Sequence, residues 1–180
     1  MVCDYINPKL LECVLVNMEH DNSLAIWISM ETGMRISDVL KIRLSDIGEN
    51  GILFYVAKKT GKRGRARISK GLQKEIILTV NGRAKPSEFL FPGRSGDKPR
   101  TRQAVYRDVK KAVAKMGSEY KGKQISPHTA RKVFAVETLR DKGISAAQKA
   151  LQHSSVMTTL IYLVQGFEER LKGIEKKLGL

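Results

Sequence analysis

Gly51-Ile52-Leu53-Phe54-Tyr55-Val56, then Lys58-Lys59-Thr60-Gly61, then Arg65-Ala66-Arg67-Ile68 is the stretch that breaks an otherwise helical pattern. β-branched and aromatic residues between a Gly and a Lys-Thr-Gly turn predict a strand, a hairpin turn and a return strand. Outward from this hairpin the apolar period is that of helices. Towards the N-terminus, Asn7 is placed to cap a helix with Pro8 in its first turn, and Leu10, Leu11, Val14, Leu15 and Met18 follow at helical spacing. A second helix is expected to start at Asn22 or Ser23, to carry Leu24, Ile26, Trp27 and Met30, and to stop at Thr32-Gly33. Ser37 is the expected cap of a short helix containing Val39, Leu40 and Ile42. Towards the C-terminus, helices are predicted at 72–80, 102–116, 127–142, 145–151 and 156–164, with a Gly/Pro/Arg-rich loop at 91–99. The class is mainly α with a small antiparallel β-sheet (α+β).

Composition narrows the function. Lys and Arg number 33 against 18 Asp and Glu, so 180 residues carry a net charge of +15. That length suits one domain with a real core, and 42% hydrophobic residues argue against wholesale disorder. Two cysteines, Cys3 and Cys13, cannot build a disulfide framework, and no Cys/His cluster has zinc-like spacing. A reducing, cytoplasmic setting is expected. The uncharged stretch 150–167 contains Gln152, His153, Ser154, Ser155, Thr158, Thr159 and Gln165, too polar to span a bilayer, so no membrane partner is expected. The surplus charge points to nucleic acid. Lys58, Lys62, Arg63, Arg65 and Arg67 form one dense basic run with Lys59 and Lys70, and Arg94, Lys98, Arg100 and Arg102 form another; both are expected to meet DNA backbone phosphates.

Taken one at a time, the chemistry-bearing residues have ordinary explanations. Arg35, after the turn Thr32-Gly33, and Arg131 suit surface ion pairs. His153 suits a cap or a core edge. Tyr162, between Ile161 and Leu163, suits core filling. His128 and Arg131, three residues apart after Ser126-Pro127, share one helical face.

The ordered set says more. Thr32-Gly33-Met34-Arg35-Ile36-Ser37-Asp38-Val39-Leu40 with Leu44-Ser45-Asp46-Ile47 resembles the first box of the tyrosine recombinase (phage integrase) family. Lys58-Lys59-Thr60-Gly61 is similar to that family's lysine-bearing hairpin turn. His128-Thr129-Ala130-Arg131, Leu151-Gln152-His153-Ser154-Ser155 and Thr158-Thr159-Leu160-Ile161-Tyr162 resemble its second box in order and spacing. Two positions depart: Gln152 stands where Gly is common, and Lys132-Val133 where many relatives have His and a small hydroxyl residue.

The resemblance implies the tyrosine recombinase catalytic-domain fold over 1–166. It implies site-specific cutting and rejoining of double-stranded DNA through a 3′-phosphotyrosyl intermediate at Tyr162. Arg35 and Arg131 would hold the phosphate oxygens, Lys59 would protonate the leaving 5′ oxygen, His128 would accept the tyrosine proton and His153 would hydrogen-bond the phosphate. Asp38 either orients a basic residue or is simply a helix-start carboxylate. No metal, ATP or other cofactor is implied. No separate N-terminal DNA-clamping domain is expected in this chain. Phe167, Leu171, Ile174 and Leu178 give 167–180 one apolar stripe. Such a helix folds back on its own domain or, as the family implies, packs on a neighbouring subunit of a tetramer on paired DNA sites. The rival readings are type IB topoisomerase-like relaxation and a non-catalytic DNA-binding regulator.

Overall fold

The computed structural model describes residues 3–83 and 87–151. His153, Tyr162, the helix expected at 156–164 and the stripe at 167–180 lie outside these residues.

Six helices and a three-stranded sheet are described. Helix α1, Pro8–Val16, starts as expected: Asn7 Oδ1 accepts the Lys9 N–H at 2.9 Å, and Leu11, Val14 and Leu15 are buried. Helix α2, His20–Thr32, begins ahead of Asn22. The reason is tertiary, because the Glu19 N–H is taken by the Asp108 carboxylate at 2.9 Å and Asn22, 1% exposed, becomes a buried linker to Asp108. Gly33 then closes α2 in the left-handed region, with φ 69°. Helix α3 is a single turn, Ile36–Val39, with Arg35 at its N-cap position. Ser37 therefore lies inside this turn and does not cap it, a correction to the sequence reading.

Strands β1 (Ile47–Gly48), β2 (Ile52–Val56) and β3 (Arg63–Arg67) form one antiparallel sheet in that order. At two residues, β1 is too short to show a period in sequence. Strand β3 starts two residues before the expected Arg65, because Val56 pairs with Arg63. Alternation puts Leu53, Tyr55 and Ala66 against the core, while Phe54, Val56, Arg63, Arg65 and Arg67 are exposed. Helices α4 (Lys70–Asn81) and α5 (Arg102–Ala114) are capped by Ser69 and Thr101, whose hydroxyls accept the N–H groups of Leu72 and Ala104, both at 3.2 Å. Helix α6, Pro127–Leu151, joins the two segments expected at 127–142 and 145–151 through a break at Gly143, with φ 78°.

Helix α2 is the hub. Leu24, Ala25, Ile26, Ile28, Ser29 and Thr32 are buried, and it packs against α1, α3, α4, α5 and α6. A helix buried on most of its circumference must satisfy its polar side chains locally. Thr32 Oγ1 accordingly donates to the Ile28 carbonyl at 2.6 Å, and Ser29 Oγ to the Met34 carbonyl at 2.7 Å. These bonds pin the turn that follows α2, and with it Arg35.

Candidate active site

The turn at Gly33 organises the site. Its backbone needs a residue that tolerates φ 69°, and a Cβ there would lie 2.4 Å from Phe134 Cδ1. The Gly33 carbonyl accepts a hydrogen bond from Arg131 Nη1, and the Leu151 carbonyl accepts another from Nη2 at 2.7 Å. Arg131 is 4% exposed, so a full positive charge is oriented inside the protein by carbonyl dipoles. Arg35 leaves the same turn two residues later and is half-buried. Thus α2–α3 and α6 bring two guanidiniums from distant parts of the chain to one place.

His128, one turn before Arg131 on α6, lines an open cleft of about 460 Å³ with Arg35, Ser37, Arg102, Tyr106 and Ser126. Its pKa is lowered to about 4, first by burial and then by the charges of Arg131, Arg35 and Lys132. The ring is therefore neutral at neutral pH, with a lone pair able to accept a proton. A cleft with a cationic rim and a neutral base suits an anion that is attacked by a nucleophile bearing a proton.

The β2–β3 turn carries Lys59, whose side chain is exposed. The Ala57 carbonyl accepts the N–H groups of Thr60 and Gly61 at 3.1 and 2.8 Å, and the Ala57 N–H donates to Lys62 at 2.9 Å. Asp38, 4% exposed, accepts the Lys58 N–H at 3.3 Å and the Ser37 hydroxyl at 3.4 Å. Asp38 thus stands in the first turn of α3 and also reaches the backbone at the hairpin base. Tyr55, on the core-facing side of β2, was not singled out by sequence reasoning. Burial raises its pKa, and the charges of Arg131, Asp38 and Arg35 act on its phenol. The only signal available in sequence was its alternation with Leu53.

The profile of the Phage integrase family matches residues 8–169. The chain belongs to the phage integrase family. The probable integrase/recombinase YoeC of Bacillus subtilis (strain 168) is 30% identical over 150 residues, covering 83% of this chain and 80% of that protein. Tyrosine recombinase XerD of Rhizobium meliloti (strain 1021) is 32% identical over 146 residues, covering 78% of this chain and 45% of that protein. The crystal structure of XerA recombinase shares the fold with a TM-score of 0.74 at 20% identity, over 90% of this chain and 60% of that one. The chain thus spans less than half of XerD and about three fifths of the XerA structure.

In this integrase-family chain the expected phosphate contacts divide. Lys58, Lys62, Arg63, Arg65, Arg67, Arg94, Lys98 and Arg102 are exposed. Arg100 departs from the expectation, because its guanidinium pairs with Glu19 and Asp21, both at 3.0 Å, and donates to Asn22 at 3.0 Å. These contacts fasten the 91–100 loop to the start of α2 and neutralise Arg100 within the fold. The family departure at Lys132 also has a structural use. Its ammonium is buried and donates to the Cys3 carbonyl, and burial lowers its pKa. With Tyr5 Oη donating to Glu137 at 3.1 Å, this ties the segment before α1 to the helix that carries His128 and Arg131. Among the described residues, no three His, Cys, Asp or Glu are grouped to hold a metal ion, and no helix is long and apolar enough to cross a membrane.

Proposed function

We propose that this chain is the catalytic part of a site-specific DNA recombinase that cuts and rejoins strands through a covalent phosphotyrosine. The observation that carries this reading is the Gly33 turn, which holds Arg131 through its carbonyl and launches Arg35 into the cleft lined by His128. A phosphodiester under attack gains negative charge on its non-bridging oxygens, and two guanidinium forks match that charge in shape and sign. Tyr162 is the proposed nucleophile and His153 a proposed phosphate donor. His128 accepts the phenolic proton, and Lys59 donates one to the departing 5′ oxygen. Burial depresses the basicity of His128 first and the nearby arginines second; a bound phosphate would offset the part due to the arginines, so DNA binding makes the imidazole a stronger base when it is needed.

The exposed basic residues of the hairpin and of 94–102 track backbone phosphates, Arg100 excepted. Residues 167–180 dock on a neighbouring subunit within a tetramer on paired sites, and the reaction takes place in the cytoplasm. A nicked suicide substrate, whose short 5′ product diffuses away, tests the central step. The expected result is a covalent protein–DNA adduct that Tyr162→Phe abolishes. Its absence from the unaltered chain at saturating DNA would favour a non-catalytic regulator, and site-independent relaxation of a supercoiled plasmid by a monomer would favour a topoisomerase.

A further inference from the structure

The arginines and the lysine of the proposed cleavage site stand on separate supports, and the structure shows what lies between them. Arg35 and Arg131 are joined through the Gly33 turn. Lys59 sits at the tip of a hairpin whose outer face is exposed. For a proton to reach the leaving oxygen while the arginines hold the same phosphate, the hairpin needs a fixed register against α3. Asp38 supplies one tie through the Lys58 N–H at 3.3 Å, a long contact for a carboxylate. Tyr55 lies beside that tie. It lines a second cleft, of about 600 Å³, with Asp38, Lys58 and Arg63. Across the sheet it pairs with Gly64, which offers no side chain to compete for the space. Its ring packs on the core, and Arg131, Asp38 and Arg35 all act electrostatically on its hydroxyl.

We propose that Tyr55 is a positioning residue whose hydroxyl links Asp38 to the arginine pair and so sets the hairpin bearing Lys59 against the phosphate site. A phenol suits this place because it donates one hydrogen bond while accepting others, which lets it stand between a carboxylate and guanidiniums. Burial keeps it protonated, so it adds no further charge to Arg35, Arg131 and Asp38. Tyr55 acts through Lys59. Its removal should mimic a misaligned general acid, with DNA affinity left intact.

The inference rests on the strand-cleavage reading, and its test separates the two. Adduct formation by the full chain is followed in single turnover at saturating DNA, for the unaltered protein, Tyr55→Phe, Lys59→Ala and the double variant. Two suicide substrates are used, one with the natural 5′ oxygen at the cut and one with a bridging sulfur, whose thiolate leaves without a proton. On the oxygen substrate Tyr55→Phe is expected to slow adduct formation by about tenfold or more, within the range that small misalignments cost. On the sulfur substrate the loss should vanish, and the double variant should be no slower than Lys59→Ala. The DNA dissociation constant should not change. Equal rates for Tyr55→Phe and the unaltered chain on oxygen, or equal losses on both substrates, would overturn the role of Tyr55 alone. If the Phe variant is less stable, the sulfur-to-oxygen rate ratio still decides, since it is internal to the folded, DNA-bound population. No adduct from the unaltered protein on either substrate would instead remove the strand-cleavage reading.

Discussion

Arg131 and Lys59 are both cations of the proposed site, yet they are built in opposite ways. Arg131 is 4% exposed and clamped between the carbonyls of Gly33 and Leu151. Lys59 is exposed on a turn held by the backbone bonds of Ala57. The difference suits the role proposed for each. A group that stabilises developing charge works best when it is oriented before the substrate arrives, because reorganisation then adds nothing to the barrier. A group that gives up a proton must reach a leaving atom and be resupplied from solvent. Of these two cations, the buried one is suited to hold charge and the exposed one to give up a proton.

Substitutions that remove the clamp should break this contrast most visibly. Arg131→Ala leaves two buried carbonyls unmet and should cost about 3 kcal/mol in denaturant unfolding, with adduct formation down about a thousandfold. A variant of normal stability would show that the clamp is not structural. His128 gives a pH-dependent effect of similar size. Its folded pKa of about 4 lies below the ordinary 6.5, so in that window the unfolded chain binds the proton first. The stability it contributes is complete above about pH 6.5 and is lost as pH falls towards 4, by at most about 3 kcal/mol. Unfolding free energies between pH 4 and 7 should flatten in His128→Gln, and an imidazole NMR titration should move upward when DNA is added.

Gly33→Ala sharpens the comparison, since it alters the clamp without touching a charge. The left-handed φ and the Phe134 ring together should cost about 2 kcal/mol, and adduct formation should fall because the Arg131 acceptor shifts. A fully active Ala variant would detach the turn from the site. Among the basic residues, Arg100→Gln should destabilise by about 1 kcal/mol and leave the salt dependence of DNA binding unchanged. Arg94→Gln should do the reverse, reducing the log–log salt slope by about one. The smallest stability change belongs to Lys59→Ala, within about 0.5 kcal/mol by thermal unfolding. A larger loss would mean that the hairpin tip is part of the fold's support.

Much of this is legible in the sequence. Asn7 as a cap, the stop at Gly33 and the hairpin around Thr60-Gly61 are local choices, made by side chains and backbone within a few residues of one another. The expectations that shifted depended on distant partners. The early start of α2 needed Asp108, and Ser37 lost its capping place because Arg35 enters α3 from a turn fastened to α2. The role proposed for Tyr55 is not legible in sequence, because a tyrosine in a β-rich run carries no mark of which charges face it. The pairing of Arg100 is not legible in sequence because its acidic partners lie some eighty residues earlier in the chain.

Residue order alone was enough to specify the helical class and the hairpin, because these rest on periodicity and turn chemistry, while the series Arg35, Lys59, His128 and Arg131 is what the resemblance to the tyrosine recombinase family implies. It could not say which cations are buried and which are free. Charge is a property of the residue, but its availability depends on desolvation and on nearby dipoles and counter-charges. Those come from elements far apart in the chain, and only packing α6 against the Gly33 turn brings them within reach of each other.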